Sequence, residues 1–176
     1  MTEKLIKKNR WFWPWQDEQE ESWLSELARQ GLHLQKPDIF GTYTFRTAEP
    51  CEVVYRLDFT RLKKTERENY WQLFQDAGWE HVGEMSGWQY FRRPVRPGES
   101  AEIFSDNESK IQKYKRLLTQ MTAMLPVLIM LYVAVNQSNS GSFWIMLGSL
   151  LYIGLMVIYG ISMVKINDRI KTLKQL

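Results

Sequence analysis

The chain has 176 residues, a formal net charge of +3 and a single cysteine. That length holds one ordinary domain with an accessory segment, the mild charge makes no case for nucleic acid, and one thiol excludes both an internal disulfide and a thiolate metal site. Charge is unevenly spread: Met1 to about Arg116 mixes charged and aromatic residues, whereas Leu117 onward is almost uncharged until Lys165.

The chain opens with a basic leader, Lys4, Lys7, Lys8 and Arg10, followed by Trp11 to Trp15. This aromatic run is too short for a cleaved signal peptide and is broken by Pro14. Trp11, Trp13 and Trp15 alternate as a strand does, and Lys with Trp also suits a lipid headgroup region. Asp17 and Glu20 then read as a helix N-cap and its N3 acid, and Thr65 with Glu68 as a second capping box. The carboxylates of Asp17 to Glu21 suit the positive end of a helix dipole and ask for no catalytic role.

Each helix meets a glycine suited to the left-handed C′ position, Gly31 and Gly78. Trp23, Leu24 and Leu27 stand at the same offsets before the first as Tyr70, Trp71 and Phe74 before the second, on one helix face. Leu32-His33-Leu34 and Gly41 to Arg46 follow the first; Trp79 to Val82 and Gly87 to Arg92 follow the second. Both pairs read as β-hairpins. With Val53, Tyr55, Leu57 and Phe59 alternating before the second helix, the unit is strand, helix, strand, strand, written twice over about residues 9–47 and 51–93. The predicted fold is therefore α+β: two such repeats forming an antiparallel sheet with both helices on one face. Cys51 is expected to be a small buried residue at the head of the second repeat.

Trp23-Leu24 to His33-Leu34, Val54 to Phe59, and Ala77 to Glu80 with Gly87 to Phe91 resemble an uncharacterised family of Gram-positive bacterial membrane proteins. That family is filed as a domain of unknown function and is often encoded beside PadR-type regulators. The resemblance covers roughly Lys8 to Arg93, fits the membrane tail described below, and brings no established active site with it.

His33 and His81 fall near equivalent glycines and are expected on adjacent strands, without further ligands for a metal. There is no nucleophile elbow, P-loop or dinucleotide fingerprint, so no enzyme and no cofactor is expected. The aromatic load is heavy, and most of it belongs to a small domain's core. By architecture alone the tandem units are similar to drug-sensing domains of the gyrase-inhibitory-protein type, which bind flat cations on rings beside a carboxylate. That likeness implies an inter-repeat groove, for which the expected residues are Trp23, Trp71, Asp58 and Glu84.

Residues 94–116 read as a turn-rich linker and a juxtamembrane helix opening near Asp106, with Ser105 and Glu108 as its capping box. Leu117 to Val135 and Phe143 to Val164 carry no charge and measure roughly 28 and 33 Å as helices, against a hydrocarbon core of about 30 Å. They form a predicted transmembrane hairpin over 117–164, joined by the short polar stretch Asn136 to Ser142. No ionisable residue interrupts either run, so an anchor is expected rather than a channel. Basic residues flank only the outer ends: Lys113, Lys115 and Arg116 before, and Lys165, Arg169 and Lys171 after, in a tail at 165–176. The positive-inside rule puts both termini in the cytoplasm of a two-span protein of the cell membrane, with lipid as one partner. The leading expectation is a non-enzymatic regulatory or adaptor protein binding a protein partner: a PadR-type regulator, a sigma-type factor or a transporter. A small-molecule sensor and an accessory subunit of a transporter are the alternatives.

Overall fold

The computed structural model describes residues 4–104, 106–137 and 142–175. They form two compact units, one ending at Asp106 and the other starting at Asn107. The first contains β1 (Leu5–Asn9), α1 (Asp17–Arg29), β2 (Leu32–Pro37), β3 (Thr42–Thr47), β4 (Val53–Phe59), α2 (Arg67–Asp76), β5 (Glu80–Met85) and β6 (Trp88–Pro94). This is strand, helix, strand, strand, twice, in the α+β class.

The repeat extends into backbone detail. Gly31 and Gly78 both take left-handed conformations, at φ +80° and +82°, just past the two helix ends. The register of β2 against β3 slips between Leu34 and Lys36, and that of β5 against β6 between His81 and Gly83. Gln35 and Val82, the residues skipped, stand at the same offset from their glycines. Ser86 and Gly87, at φ 50° and 95°, make the two-residue turn that closes the β5–β6 hairpin.

The strands are hydrogen-bonded into two three-stranded antiparallel sheets, ordered β1-β3-β2 and β4-β6-β5, with β2 and β5 side by side. Two features keep a ladder from running through that junction. Pro37 of β2 has no N–H to give, and its Cδ lies where a Cβ on Gly83 would meet it at 3.3 Å. The N–H of Leu34 is taken by the phenol of Tyr55, at 3.2 Å, from the other sheet.

The helices occupy different environments. α1 buries Leu24, Leu27 and Ala28 in one cluster with Leu34, Tyr43 and Phe45 of the first sheet and Tyr55, Leu57 and Tyr90 of the second. α2 packs Phe74 against Phe91 and Trp79. Tyr90 and Phe91 are successive strand residues and so face opposite ways. The second sheet is therefore covered on both sides, by α1 within and α2 without.

Three expectations about local structure give way to tertiary demands. The first strand is Leu5–Asn9, paired from Leu5↔Arg46 to Asn9↔Thr42, and the tryptophans follow it. Pro14 sits in a turn there, and the Trp13 N–H is taken by Gln16 Oε1 at 2.9 Å, so Trp11 to Trp15 forms a strap rather than a strand. Gln16 and Glu66 hold the N-cap positions and neither makes a side-chain cap. Asp17 lies inside the helix, and Glu66 accepts from the Lys63 N–H at 3.2 Å where Thr65 was expected to cap. Cys51 is exposed, because it precedes β4 in the connecting loop, its N–H bonded to the Ala28 carbonyl.

The second unit is a pair of helices, α3 (Asn107–Gln137) and α4 (Ser142–Gln175), about 46 and 51 Å long. Both are long and apolar enough to cross a membrane, with mean hydropathies of 1.9 and 2.0 over an 18-residue window within Asn107–Ala134 and Ile145–Gln175. Tyr132 stacks on Tyr152 at 4.3 Å, and the Tyr159 hydroxyl donates to the Met121 carbonyl. Toward the charged ends buried residues recur every three or four positions: Ile111, Tyr114, Leu117 and Met121 on α3, Ile166, Ile170 and Leu173 on α4, the spacing of a two-helix seam. Between these ends and the turn most apolar side chains face outward, Met130 and Leu151 among them. Ser105 and the central loop residues Ser138 to Gly141 lie outside the described residues; Asn136, Gln137 and Ser142 belong to the helices. The basic tail continues α4 as far as Gln175.

Leu27→Ala and Phe74→Ala, equivalent anchors that are 5% and 8% exposed, should each lower the stability of the full chain by about 2 to 5 kcal/mol. Gln30→Ala, on the surface, should change it by less than about 0.5 kcal/mol. Denaturant unfolding in detergent, followed by tryptophan emission, measures all three; equal shifts would show that the helix faces are assigned wrongly.

Candidate functional site

The buried stripe of α1 does not end where its apolar residues end. Asp17, Glu20 and Glu21 are 3%, 6% and 6% exposed. They continue the line of Leu24, Leu27 and Ala28 toward the helix start, at the three-and-four spacing of one face. Burying three carboxylates on one helix is costly unless each is answered by donors.

Glu21 and Ser25 are answered by backbone. Glu21 Oε1 accepts from the N–H of Leu57 at 2.8 Å, and Ser25 Oγ from that of Tyr55 at 3.0 Å. These are outward-facing N–H groups of β4, the edge strand of the second sheet, so α1 seals an edge that would otherwise stand open. Arg56 adds an ion pair to Glu21 at 3.6 Å.

Glu20 is answered by two phenols, one from each sheet. Tyr43 Oη donates at 2.8 Å and Tyr90 Oη at 2.6 Å, both to Oε1. Burial is the largest influence on this carboxyl and raises its pKa above 4.5; the two phenol bonds work against that rise, and the nearby Asp17 charge adds to it. Burial likewise raises the pKa of Tyr43 and Tyr90, the Glu20 charge next, so the hydroxyls stay protonated as donors.

Above Glu20 lies a pocket of about 180 Å³ between the two repeats. Its floor is Asp17, Glu20 and Tyr43; the strap Trp11 to Pro14 forms one wall and Met85, Ser86 and Trp88 the other. The strap is held to the loop after β2 by the Arg10 N–H, which donates to the Gly41 carbonyl at 2.8 Å. No side chain fits at Gly41: a Cβ would come within 2.9 Å of the Arg10 carbonyl. Ring faces, three carboxylates (Asp38 is the third) and no Lys or Arg line the space among the described residues.

None of the four groove residues expected from sequence lines this pocket. Trp23 packs edge-on against Tyr43 and Phe45, with centroids 5.0 and 5.8 Å away, and the guanidinium of Arg10 lies over its ring at 5.4 Å. The face imagined for a guest cation thus holds a cation of the chain itself. Trp71 stacks on His81 at 4.3 Å and donates to Gln89 Oε1. Gln89 also takes the His81 Nε2 bond and donates to Glu84, which pairs with Arg67 at 2.9 Å. Burial depresses the pKa of His81, the contact with Gln89 opposing. Asp58, 1% exposed, accepts from Tyr70. Trp71 and Glu84 therefore belong to one network through Gln89 on the α2 side of the second sheet, Asp58 is held by Tyr70 of α2, and Trp23 belongs to the core under the first sheet.

The histidines are separately engaged. His33 Nε2 meets the Glu49 carbonyl at 3.0 Å, with Cys51 Sγ 3.9 Å away. No group of three His, Cys, Asp or Glu placed to hold a metal occurs among the described residues. Of the basic residues expected near a membrane, Lys115 pairs with Glu108 at 3.9 Å and Lys171 with Asp168 at 3.5 Å. Lys165 is exposed, Arg116 and Arg169 are half-buried, and Lys113 is buried with Nζ 4.8 Å from the Tyr114 ring.

A family profile described as a protein of unknown function (DUF2812) matches residues 16–126, from the start of α1 into the apolar part of α3. No curated protein and no solved structure matches the chain.

Because the folded state holds the Glu20 proton more tightly than the unfolded chain does, that contribution to stability is complete below pH 4.5 and is lost as pH rises through the lifted value. Relative to Glu20→Gln, the wild type should thus lose melting temperature as pH is raised from the acid side toward neutral. Melting of both proteins in detergent across that range checks it, and a difference that does not vary with pH would show a carboxyl titrating as if solvated.

Proposed function

The chain belongs to the DUF2812 family of proteins of unknown function, and from that footing we propose that it is a membrane-anchored, non-enzymatic regulatory protein that senses a flat or cationic small molecule in the pocket above Glu20. One observation carries the reading: a buried carboxylate, fixed by two phenols, forms the floor of an aromatic-walled pocket without a basic side chain in its lining. Negative charge surrounded by ring faces attracts a cation twice, through the carboxylate and through the ring quadrupoles, at about 0.5 to 2 kcal/mol per ring. Rings and carboxylates bind and orient a guest, and the reading is therefore of binding rather than turnover.

The hairpin is the anchor in this reading. Lys110, Lys113, Lys115 and Arg116 precede the first span and Lys165, Arg169, Lys171 and Lys174 follow the second, so both termini and the pocket are assigned to the cytoplasm. A second role has its own support. Trp11 and Ile39 at the pocket rim are 59% and 56% exposed, and Phe40 beside them is 79% exposed. Such a rim suits a protein partner that reads pocket occupancy: a PadR-type regulator, a sigma-type factor or a transporter.

Titrating the full chain in detergent with N-methylquinolinium should quench tryptophan fluorescence saturably in the micromolar to millimolar range, roughly −8 to −4 kcal/mol. Glu20→Gln, which keeps Oε1 as acceptor for both phenols, should weaken binding about tenfold or more while the protein stays folded. Linear quenching identical in both proteins would rule the pocket out.

Topology is tested separately, in a Cys51→Ser background. A cysteine at Gln137 should react with an impermeant thiol reagent on intact cells, and one at Ser100 only after lysis. Labelling of Ser100→Cys from outside would reverse the orientation.

A further inference from the structure

The two phenols that hold Glu20 both donate to the same oxygen. Tyr43 Oη and Tyr90 Oη lie 2.8 and 2.6 Å from Oε1, and no described residue donates to Oε2. The residue is 6% exposed, and it lines the pocket. A carboxylate tied by one oxygen leaves the other free to accept from an N–H that enters the pocket.

Among the described residues Ser86 and the indoles of Trp11, Trp13 and Trp88 carry donors in the same lining but none bonds to Oε2; Asp17 and Asp38 are acceptors, and Asp38 Oδ1 already takes the Phe40 N–H at 3.1 Å. The aromatic walls offer quadrupoles. The cavity, about 180 Å³, is smaller than the roughly 300 to 1,000 Å³ of sites that take drug-sized ligands; it suits one or two rings with a short substituent.

We propose that the guest is a compact aromatic amine whose ammonium N–H donates to Glu20 Oε2, so that the site selects primary and secondary ammonium ions over quaternary ones. This deepens the sensor reading and rests on it. A quaternary ammonium satisfies the ring faces but leaves Oε2 without a donor, whereas a primary one satisfies both. When Glu20 is protonated in the empty pocket, the entering ammonium displaces that proton to solvent, leaving an ammonium–carboxylate pair. The charged and titratable groups that bear on Glu20 are Asp17 on its own helix, Tyr43 of β3, Tyr90 of β6 and Asp38 in the loop after β2, with the Arg10 charge reaching Tyr43. The acids among these reinforce selection for a cation.

The test is calorimetric titration of the full chain in detergent with two probes of the same charge and ring, 2-phenylethylammonium and trimethyl(2-phenylethyl)ammonium. The primary ion should bind about tenfold or more tightly than the quaternary one, as expected for one charge-assisted hydrogen bond. Glu20→Gln should remove most of that preference while retaining the wild-type near-ultraviolet circular dichroism. Equal or tighter binding of the quaternary ion, with N-methylquinolinium still quenching saturably, overturns the N–H donor assignment and leaves the sensor reading standing. No saturable binding of any of the three cations overturns both.

Discussion

The arrangement of the first unit depends on α1 closing the edge of a sheet that belongs to the other repeat. Tyr55 and Leu57 present N–H groups on the open side of β4, and Ser25 and Glu21 accept them. Hydrogen bonds to an ionised acceptor contribute about 1.5 to 3 kcal/mol, and leaving a buried donor unmet costs a similar amount. The contacts therefore fix α1 in register along β4, and they do so with polar atoms whose geometry tolerates little sliding. Apolar packing of Leu24, Leu27 and Ala28 fills the space, but it is less directional.

This explains why two copies of one sequence pattern end in different places. α1 lies in the core shared by both sheets, and seven of its residues are buried; α2 buries Phe74 alone among its residues and leaves Leu73 66% exposed. The β4 edge accepts one helix; both helices carry an acid ten residues before the glycine, Glu21 and Glu68, but only α1 has a hydroxyl six before it, Ser25, where α2 has Gln72. Seven and four residues before its glycine α1 has Leu24 and Leu27; α2 has Trp71 and Phe74 there, larger groups that cover the outer face of a sheet and reach Gln89 and Phe91.

Glu20 follows from the same placement. Once Glu21 is committed to Leu57, its neighbour is turned toward the junction of the sheets, where Tyr43 and Tyr90 meet it from opposite sides. Replacing this carboxyl by an apolar residue would leave two buried phenol hydroxyls without their acceptor. The same side chain also lines the pocket between the repeats. A site with a perturbed acid and ring walls fits the general expectation that such groups concentrate where ligands bind.

The sequence by itself determined whatever depends on local chemistry or on solvent. Two uninterrupted apolar runs form helices long and apolar enough to cross a membrane, and left-handed glycines end α1 and α2 at Gly31 and Gly78. Period-two alternation and the recurring offsets disclosed the double strand-helix-strand-strand unit. Tertiary structure decided the rest. Which carboxylate is buried cannot be read from a helix start, where acids serve the dipole equally well in water; the signal present was that 17, 20 and 21 extend the line of 24, 27 and 28. Whether an aromatic ring faces a cavity or a neighbour depends on distant partners: Trp23 meets Arg10 and Tyr43, Trp71 meets His81, and Trp11, Trp13 and Trp88 converge from strands and loops far apart in the chain. The first strand moved to Leu5–Asn9 because pairing with β3 rewards backbone N–H groups in register, and Pro14 and the Trp13–Gln16 turn withdraw the tryptophans from any ladder.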